Sequence, residues 1–316
     1  MQAIDDPLFL LGLSVLFGGG LFLWAWPERG LRDRLRAGRA AARRERVEDA
    51  LKHLFGLEME GRRPSLSSVA GALSLGQDAA AALLDEMATQ GTVDLSEGQI
   101  RLSAAGRDWA LRVVRAHRLW ERYLAERTGY AESDWHRLAE RAEHKLSPQA
   151  ADALALSLGN PSHDPHGDPI PTAEGALSAD GGRPLSTLAP GDRARIVHLE
   201  DEPPAIYGQL VAEGLHPGLL LRVLESGPQR LRFWAGDAEL LLSPLLAGHV
   251  HVQPLGQDPA WEAETLGQPL SLLGAGQAAT ILALSPALRG AERRRLLDLG
   301  FLPGTRLEVE LQSAAG

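Results

Sequence analysis

Between residues 46 and 57 the apolar positions Val47, Leu51, Leu54 and Phe55 recur at helical spacing. Glu60-Gly61-Arg62-Arg63-Pro64 breaks that pattern, and Ser65 or Ser67 suits the N-cap of a second helix carrying Leu66, Val69, Ala70 and Leu73. After Gly76 a third predicted helix, 77–90, turns Ala81, Leu84 and Met87 inward, with Gly91 as a stop. Segments 92–95 and 99–102 alternate around Ser96-Glu97-Gly98, which predicts a short hairpin. A long helix follows over 104–127, capped by Ser103, with Trp109, Val113, Ala116, Trp120 and Leu124 along one stripe. Residues 133–144 form a second helix, with Ser133 as N-cap and Asp134 in the first turn. Ser147-Pro148 opens a third, ending at Gly159 with Leu154 and Leu158 available for packing.

From residue 184 the pattern changes to short strands: 193–199, 219–224, 231–234, 239–242 and 250–252, with one helix over 206–213. Five short strands and a helix predict a small barrel. The chain then repeats itself. Pro184-Leu-Ser-x-Leu-x-x-Gly191 recurs as Pro269-Leu-Ser-x-Leu-x-x-Gly276, and Gly214-Leu-His-Pro-Gly218 as Gly300-Phe-Leu-Pro-Gly304. An offset of 85 to 86 residues signals duplicated domains. The second copy, 269–316, stops before its last two or three strands, so either the sequence is a fragment or this copy is incomplete. Its barrel edge would then be exposed. The expected class is multidomain α+β: a winged helix-turn-helix over 47–103, a helical domain over 104–159, a linker over 160–183, and small barrels over 184–255 and 269–316. The aromatic surface of the helical domain suits a two-fold dimer interface.

Composition adds two constraints. Apolar content of 44% and charged content of 23% are ordinary for globular protein. With no cysteine there are no disulfides and no thiolate metal sites, so any metal is held by His, Asp, Glu, carbonyl or water, a set that favours Mn, Fe(II), Co or Zn over Cu(I).

The formal charge of −9 is unevenly spread. Residues 8–26 carry none, and as a helix they would span ~28 Å, close to the hydrocarbon thickness of a bilayer. Trp24 and Trp26 stand at one end and Pro27 follows; Gly18-Gly19-Gly20 lowers helix propensity within. Residues 28–46 then hold eight Arg against Glu28, Asp33 and Glu45, a net of +5. A cleaved secretory signal has its basic run before the apolar one, not after. The expectation is a single-pass anchor in the cell membrane, N-terminus outside and the bulk of the chain cytoplasmic. The basic segment is expected to be a helix near anionic lipid, with a nucleic-acid arm as the alternative.

Charge also bears on DNA binding. Residues 47–103 hold four bases, Lys52, Arg62, Arg63 and Arg101, against nine acids. The third helix has no Lys or Arg and carries Asp78, Asp85 and Glu86. Lys and Arg contacts to phosphate supply most non-specific affinity, so this winged helix binds DNA weakly or binds protein. Arg62, Arg63 and Arg101 are the candidate phosphate contacts and Gln77 the candidate base contact.

The candidate metal chemistry lies in the helical domain. His136, Glu140, Glu143 and His144 are spaced four, three and one apart, which puts them on one helical face. Glu140 and Glu143 repel each other there unless a cation lies between them. The helix upstream offers His117 and Glu121, again four apart. A solvated, ordinarily charged helix face is the competing explanation.

His117-Arg-Leu-Trp-Glu121, the run Glu143-His144-Lys-Leu-Ser147 and Gly159-Asn-Pro-Ser-His-Asp-Pro-His-Gly-Asp-Pro-Ile-Pro171 together resemble the diphtheria-toxin-repressor and manganese-transport-regulator family of metalloregulators. The resemblance covers about residues 45–171. It implies a winged helix that binds promoter DNA as a homodimer when Mn(II) or Fe(II) is bound. It also implies metal ligands at Glu140, Glu143 and His144, with Glu140 standing where the iron-responsive branch has a cysteine. His117 matches a ligand of an adjoining site, with Glu121 and His136 as further ligands there. Asp49 falls where the first helix donates a carboxylate. Lys52 replaces a second carboxylate, for which His53 is a substitute. His163 and His166 belong to the family's turn-rich linker and are read as structural. The repeated barrels resemble FeoA-type, SH3-like domains, which occur in ferrous-iron transport and at the C-terminus of some of these regulators.

The first functional reading is a membrane-tethered, metal-responsive transcriptional regulator. The second is a membrane-anchored metal sensor, or an iron or manganese uptake accessory, that acts on protein partners through its winged helix and FeoA-like domains without DNA. A metalloenzyme is disfavoured: no nucleophile–base set or glycine-rich phosphate loop is apparent, and the donors suffice to fill the metal's coordination.

Overall fold

The computed structural model describes residues 31–96, 98–178, 182–235, 238–256, 270–285, 288 and 290–311. The chain divides into two compact units, Met1–Val113 and Val114–Gly316. Among the described residues no helix is long and apolar enough to cross a membrane. The apolar stretch 8–26 lies outside the described residues.

In the first unit, helix α1 (Leu31–Met59) runs unbroken through the basic segment into the apolar stripe. Helix α2 (Leu66–Ala72) starts at a reciprocal cap: Ser65 Oγ accepts from Ser68 N (3.1 Å), and Ser68 Oγ accepts from Ser65 N (3.0 Å). Helix α3 (Gln77–Thr89) ends before Gly91, whose φ of 71° is the left-handed stop. Strands β1 (Val93–Asp94) and β2 (Arg101–Leu102) pair antiparallel, Val93 opposite Leu102. Helix α4 (Ala104–Arg127) begins with the Ser103 hydroxyl accepting from Gly106 N at 3.0 Å. Gly106 has to be glycine, since a Cβ there would sit 1.9 Å from the Thr92 carbonyl oxygen.

Leu51, Leu54 and Met87 are fully buried in this unit. Each contributes about 1.5–3 kcal/mol by leaving water. Among the described residues of this unit the buried carboxylate is Glu48, which accepts from Arg44 Nε (2.7 Å) and Trp109 Nε1 (3.1 Å).

In the second unit, helix α5 (Glu132–Glu143) starts one residue before the expected cap: the N-cap is Ala131, in extended geometry and without a side-chain bond. Ser133 therefore lies inside the helix. Helix α6 (Pro148–Ser157) has the expected Ser147 cap, which accepts from Ala150 N at 3.2 Å. Leu119 packs with Ala151, Ala155 and Ile170, and Leu124 with Trp135 and Ala139, so α4 binds both neighbours through its apolar side.

Among the described residues the first repeat shows six strands and two α-helices, where five strands and one helix were expected. They are β3 (Arg183–Pro184), β4 (Arg193–Leu199), β5 (Leu220–Ser226), β6 (Leu231–Ala235), β7 (Ala238–Leu242) and β8 (Val250–Leu255), ordered β3-β8-β4-β5-β6-β7 and antiparallel throughout. Helices α7 (Pro204–Ala212) and α8 (Pro244–Gly248) close on a core of Leu185, Ile196, Leu210, Leu221, Phe233 and Val252. The second repeat shows β9 (Ala278–Thr280), α9 (Gly290–Asp298) and β10 (Arg306–Glu308). Its backbone bonds echo the first: Gly191 N to Val223 O becomes Gly276 N to Val309 O, and Gly218 N to Ile196 O becomes Gly304 N to Ile281 O.

Candidate metal centre

Four segments of the second unit converge: α4, α5, the turn 162–170 after α6, and the loop after β4. One helical turn apart on α4, His117 and Glu121 are both buried, and His117 Nε2 lies 2.9 Å from Glu121 Oε1. From α5, His136 Nδ1 approaches the same Glu121 oxygen (3.2 Å) and His117 Nε2 (3.3 Å). Glu143, also buried, hydrogen-bonds His117 Nδ1 through Oε2. From the loop after β4, Asp201 Oδ2 reaches His136 Nδ1 at 2.9 Å.

The turn contributes a third face. Gly167 (φ 98°) lets it lie against β4, where a Cβ would be 1.9 Å from the Val197 carbonyl oxygen, and Leu199 N donates to His166 O at 2.9 Å. Asp164 Oδ1 accepts from the backbone N–H groups of His166, Gly167 and Asp168 at 2.8–2.9 Å. Its Oδ2 is buried with no hydrogen bond, and so are both ring nitrogens of His166. His166 Nδ1 lies 3.8 Å from Glu121 Oε2 and 3.9 Å from Asp201 Oδ2.

The electrostatics ask for positive charge. Burial works against the His136 imidazolium, but hydrogen bonds to Asp201, Glu121 and Glu140 outweigh it and push its pKa up to about 12. Burial raises the Glu121 carboxyl, and His117, His136 and His166 more than reverse that, holding it well below its usual value. Asp201 is likewise held down by His136 and His166 against the effect of its burial. Asp164 is pushed well up by burial and by the charges of Asp168 and Glu121. Imidazole nitrogens and carboxylate oxygens converging in a buried place, with nitrogens that find no hydrogen bond, fit a divalent cation.

The sequence candidates do not form one row. His117, Glu121 and His136 have ligand atoms within 4.8 Å of one another, as do Glu121, Asp164 and His166. Glu140, over half exposed, lies 3.5 Å from His136 Nε2, and His144 Nε2 lies 3.8 Å from Glu143 Oε1. Asp49 is on α1 in the first unit. His163 bonds Ser162 Oγ (2.9 Å) and pairs with Pro169 across the turn. Sequence reasoning missed Asp164 and Asp201 and took His166 only as part of a turn. The Asp-Pro-His spacing, which returns two donors to one side of a tight turn, was the available signal.

Comparison with known proteins bears on this site. The family described as "Iron dependent repressor, metal binding and dimerisation domain" matches residues 103–172, and "FeoA domain" matches 183–254 and 268–316. A solved structure titled "Manganese-dependent transcriptional repressor" is 31% identical and is covered over 90% of its length, with a TM-score of 0.50. The chain belongs to the diphtheria-toxin-repressor and manganese-transport-regulator family and carries FeoA domains. Another member's structure, a manganese-dependent repressor in complex with manganese, aligns with a TM-score of 0.61 at 28% identity, over 66% of this chain and all of that one. The iron-dependent repressor IdeR of Mycobacterium leprae is 30% identical over 158 residues, 50% of this chain and 66% of that protein. A probable metal transport system membrane protein of Chlamydia trachomatis is 39% identical over 82 residues, 26% of this chain and 18% of that protein. The chain thus spans less than two thirds of the length of these two curated relatives.

All four DNA-contact candidates are exposed. Arg62 is paired with Glu60 at 2.8 Å, and Arg101 with Gln99. The exposed face of α3 presents Gln77, Asp78 and Asp85 and no basic residue.

Proposed function

We propose that the chain is a metal-dependent transcriptional regulator whose effector is Mn(II) or Fe(II). The observation that carries this reading is the convergence of buried His117 and Glu121 with half-buried His136 and Asp201, flanked by His166 and Asp164. His117, Glu121, His136 and Asp201 would hold the ion. Glu140, Glu143 and His144 are the neighbouring candidate ligands, and family resemblance adds Asp49. A bound divalent ion supplies the positive charge that these carboxylates call for. His117 and Glu143 orient each other, and Asp164, fixed by three backbone donors, holds His166 against Glu121. Promoter binding by a homodimer, with Arg62, Arg63, Arg101 and Gln77 at the DNA, is the corresponding output.

This reading is tested by a DNA mobility shift on genomic fragments at low salt. Binding is expected only with Mn(II) or Fe(II), to fall steeply with salt, and to weaken on all sequences alike in Arg62→Glu/Arg63→Glu. No metal-dependent shift on any fragment would leave the second reading, a metal sensor or uptake accessory acting on protein. The acidic exposed face of α3 and the likeness to the chlamydial protein named as a probable metal transport system membrane protein favour that alternative. In both readings the apolar stretch 8–26 anchors the chain, N-terminus outside. A reporter fused after residue 46 is expected to be cytoplasmic, and recovery of soluble protein starting near residue 27 would argue for cleavage instead.

A further inference from the structure

A second cluster of donors stands on the first FeoA sheet, outside the centre just described. The register of β4 against β8 slips between Ile196 and His198, so Val197 is the extra residue of a bulge. Such a bulge re-aims the side chains that follow it. Here it sets His198 directly opposite His251, with ring centroids 5.3 Å apart and planes 28° from parallel. Just beyond β4, Glu200 is pinned to the residue before β8 by its N–H to the His249 carbonyl at 3.0 Å. Its carboxylate oxygen Oε1 lies 3.5 Å from His198 Nε2 and 3.9 Å from His251 Nδ1.

Ligand atoms about 2.0–2.2 Å from a tetrahedral ion stand roughly 3.4 Å apart. The three donors, all within 4.8 Å of one another, are therefore close to that spacing before any ion draws them in. His198 is 8% exposed, and its Nδ1 is buried without a hydrogen bond. That nitrogen lies 3.7 Å from Asp168 Oδ2, while Asp168 Oδ1 accepts from Arg118 Nη2 at 2.9 Å. A carboxylate behind the far nitrogen of a ligating imidazole is the usual arrangement for fixing its tautomer and orientation. Glu200 and His251 are part-exposed, which leaves room for water to complete the coordination.

We propose that His198, Glu200 and His251 form a second divalent-metal site, distinct from the helical centre. Two imidazoles and one carboxylate suit a borderline ion of the Zn(II) class, in contrast to the more oxygen-rich helical set. Asp168 is its positioning residue, set by Arg118 next to the helical ligand His117.

The test is a Zn(II) titration of the metal-stripped full chain in detergent against a chromophoric chelator, repeated with Co(II) and read by visible absorption. His251→Ala and Glu200→Gln, both at part-exposed positions, are each expected to bind one ion fewer per subunit and to lose one component of the Co(II) spectrum. Glu121→Gln, which disables the helical centre, is expected to keep that ion and that component. Unchanged stoichiometry and spectrum in both FeoA variants would overturn the site. So would a Glu121→Gln chain that binds no ion at all. Because the helical centre is silenced separately, its failure as a metal site would leave the Zn(II) result on the sheet readable.

Discussion

Glu48 and Glu121 are both buried glutamates, 2% and 1% exposed, one in each unit. Glu48 is answered by groups the chain itself fixes, the Arg44 guanidinium and the Trp109 N–H. Glu121 is answered by imidazoles, His117, His136 and His166, whose charge depends on a proton. The first arrangement is an ion pair and a hydrogen bond supplied from within the chain. The second gathers Glu143, Asp164 and Asp201 around the same rings, where protons on the imidazoles or a cation from solution supply balancing charge. The difference separates a residue that holds a fold from one that reads the environment.

The comparison breaks most visibly under substitution of the two glutamates. Glu121→Gln is expected to lower Mn(II) affinity by at least ~100-fold and to abolish the metal-dependent rise in Tm. Glu48→Gln should cost about 1–3 kcal/mol of stability in denaturant unfolding, the range for disturbing a buried charged hydrogen bond, and leave Mn(II) affinity as in the parent. Equal loss of metal binding in both variants would erase the distinction.

A smaller effect, about tenfold per pH unit for each proton released, is expected on Mn(II) affinity. His136 is raised from 6.5 to about 12, so its contribution to the metal-free fold is fully present below about pH 6.5 and lost as pH rises through about 12. Glu121 and Asp201 are lowered from 4.5 and 3.8; their contributions are present above those values and lost as pH falls through the folded-state values. Metal has to displace the His136 proton across the neutral range, so affinity climbs from pH 6.5 to 8. Calorimetry in two buffers of different ionisation enthalpy reads the released proton directly; a buffer-independent heat would remove His136 from the ligand set. The smallest effect is at Ser65, where loss of the reciprocal cap in Ser65→Ala should cost ~1 kcal/mol with or without metal.

Much of this was legible because it is local. The Ser65 and Ser147 caps, the 104–127 helix and the 85-residue repeat follow from short-range chemistry, and the repeat extends to matching backbone bonds at Gly191 and Gly276. Spacing put His117 with Glu121 because both ride one helix. It placed His136, Glu140, Glu143 and His144 on one face, yet tertiary packing splits them, leaving Glu140 exposed and drawing Glu143 to His117. Asp201 and the His198–His251 pair were beyond reach, since a loop and a bulge in β4 bring them to their neighbours. The two repeats also differ in a way sequence conceals: Leu185 is fully buried in the first, whereas its counterpart Leu270 is 48% exposed.

The most direct measurement is calorimetric titration of the metal-stripped full chain with Mn(II), beside Glu121→Gln and His163→Ala. The buried cluster predicts saturable binding in the parent, near-parental binding in His163→Ala, and loss of at least ~100-fold in Glu121→Gln. Parental affinity in Glu121→Gln together with loss in His163→Ala would contradict the account and move the metal to the linker turn.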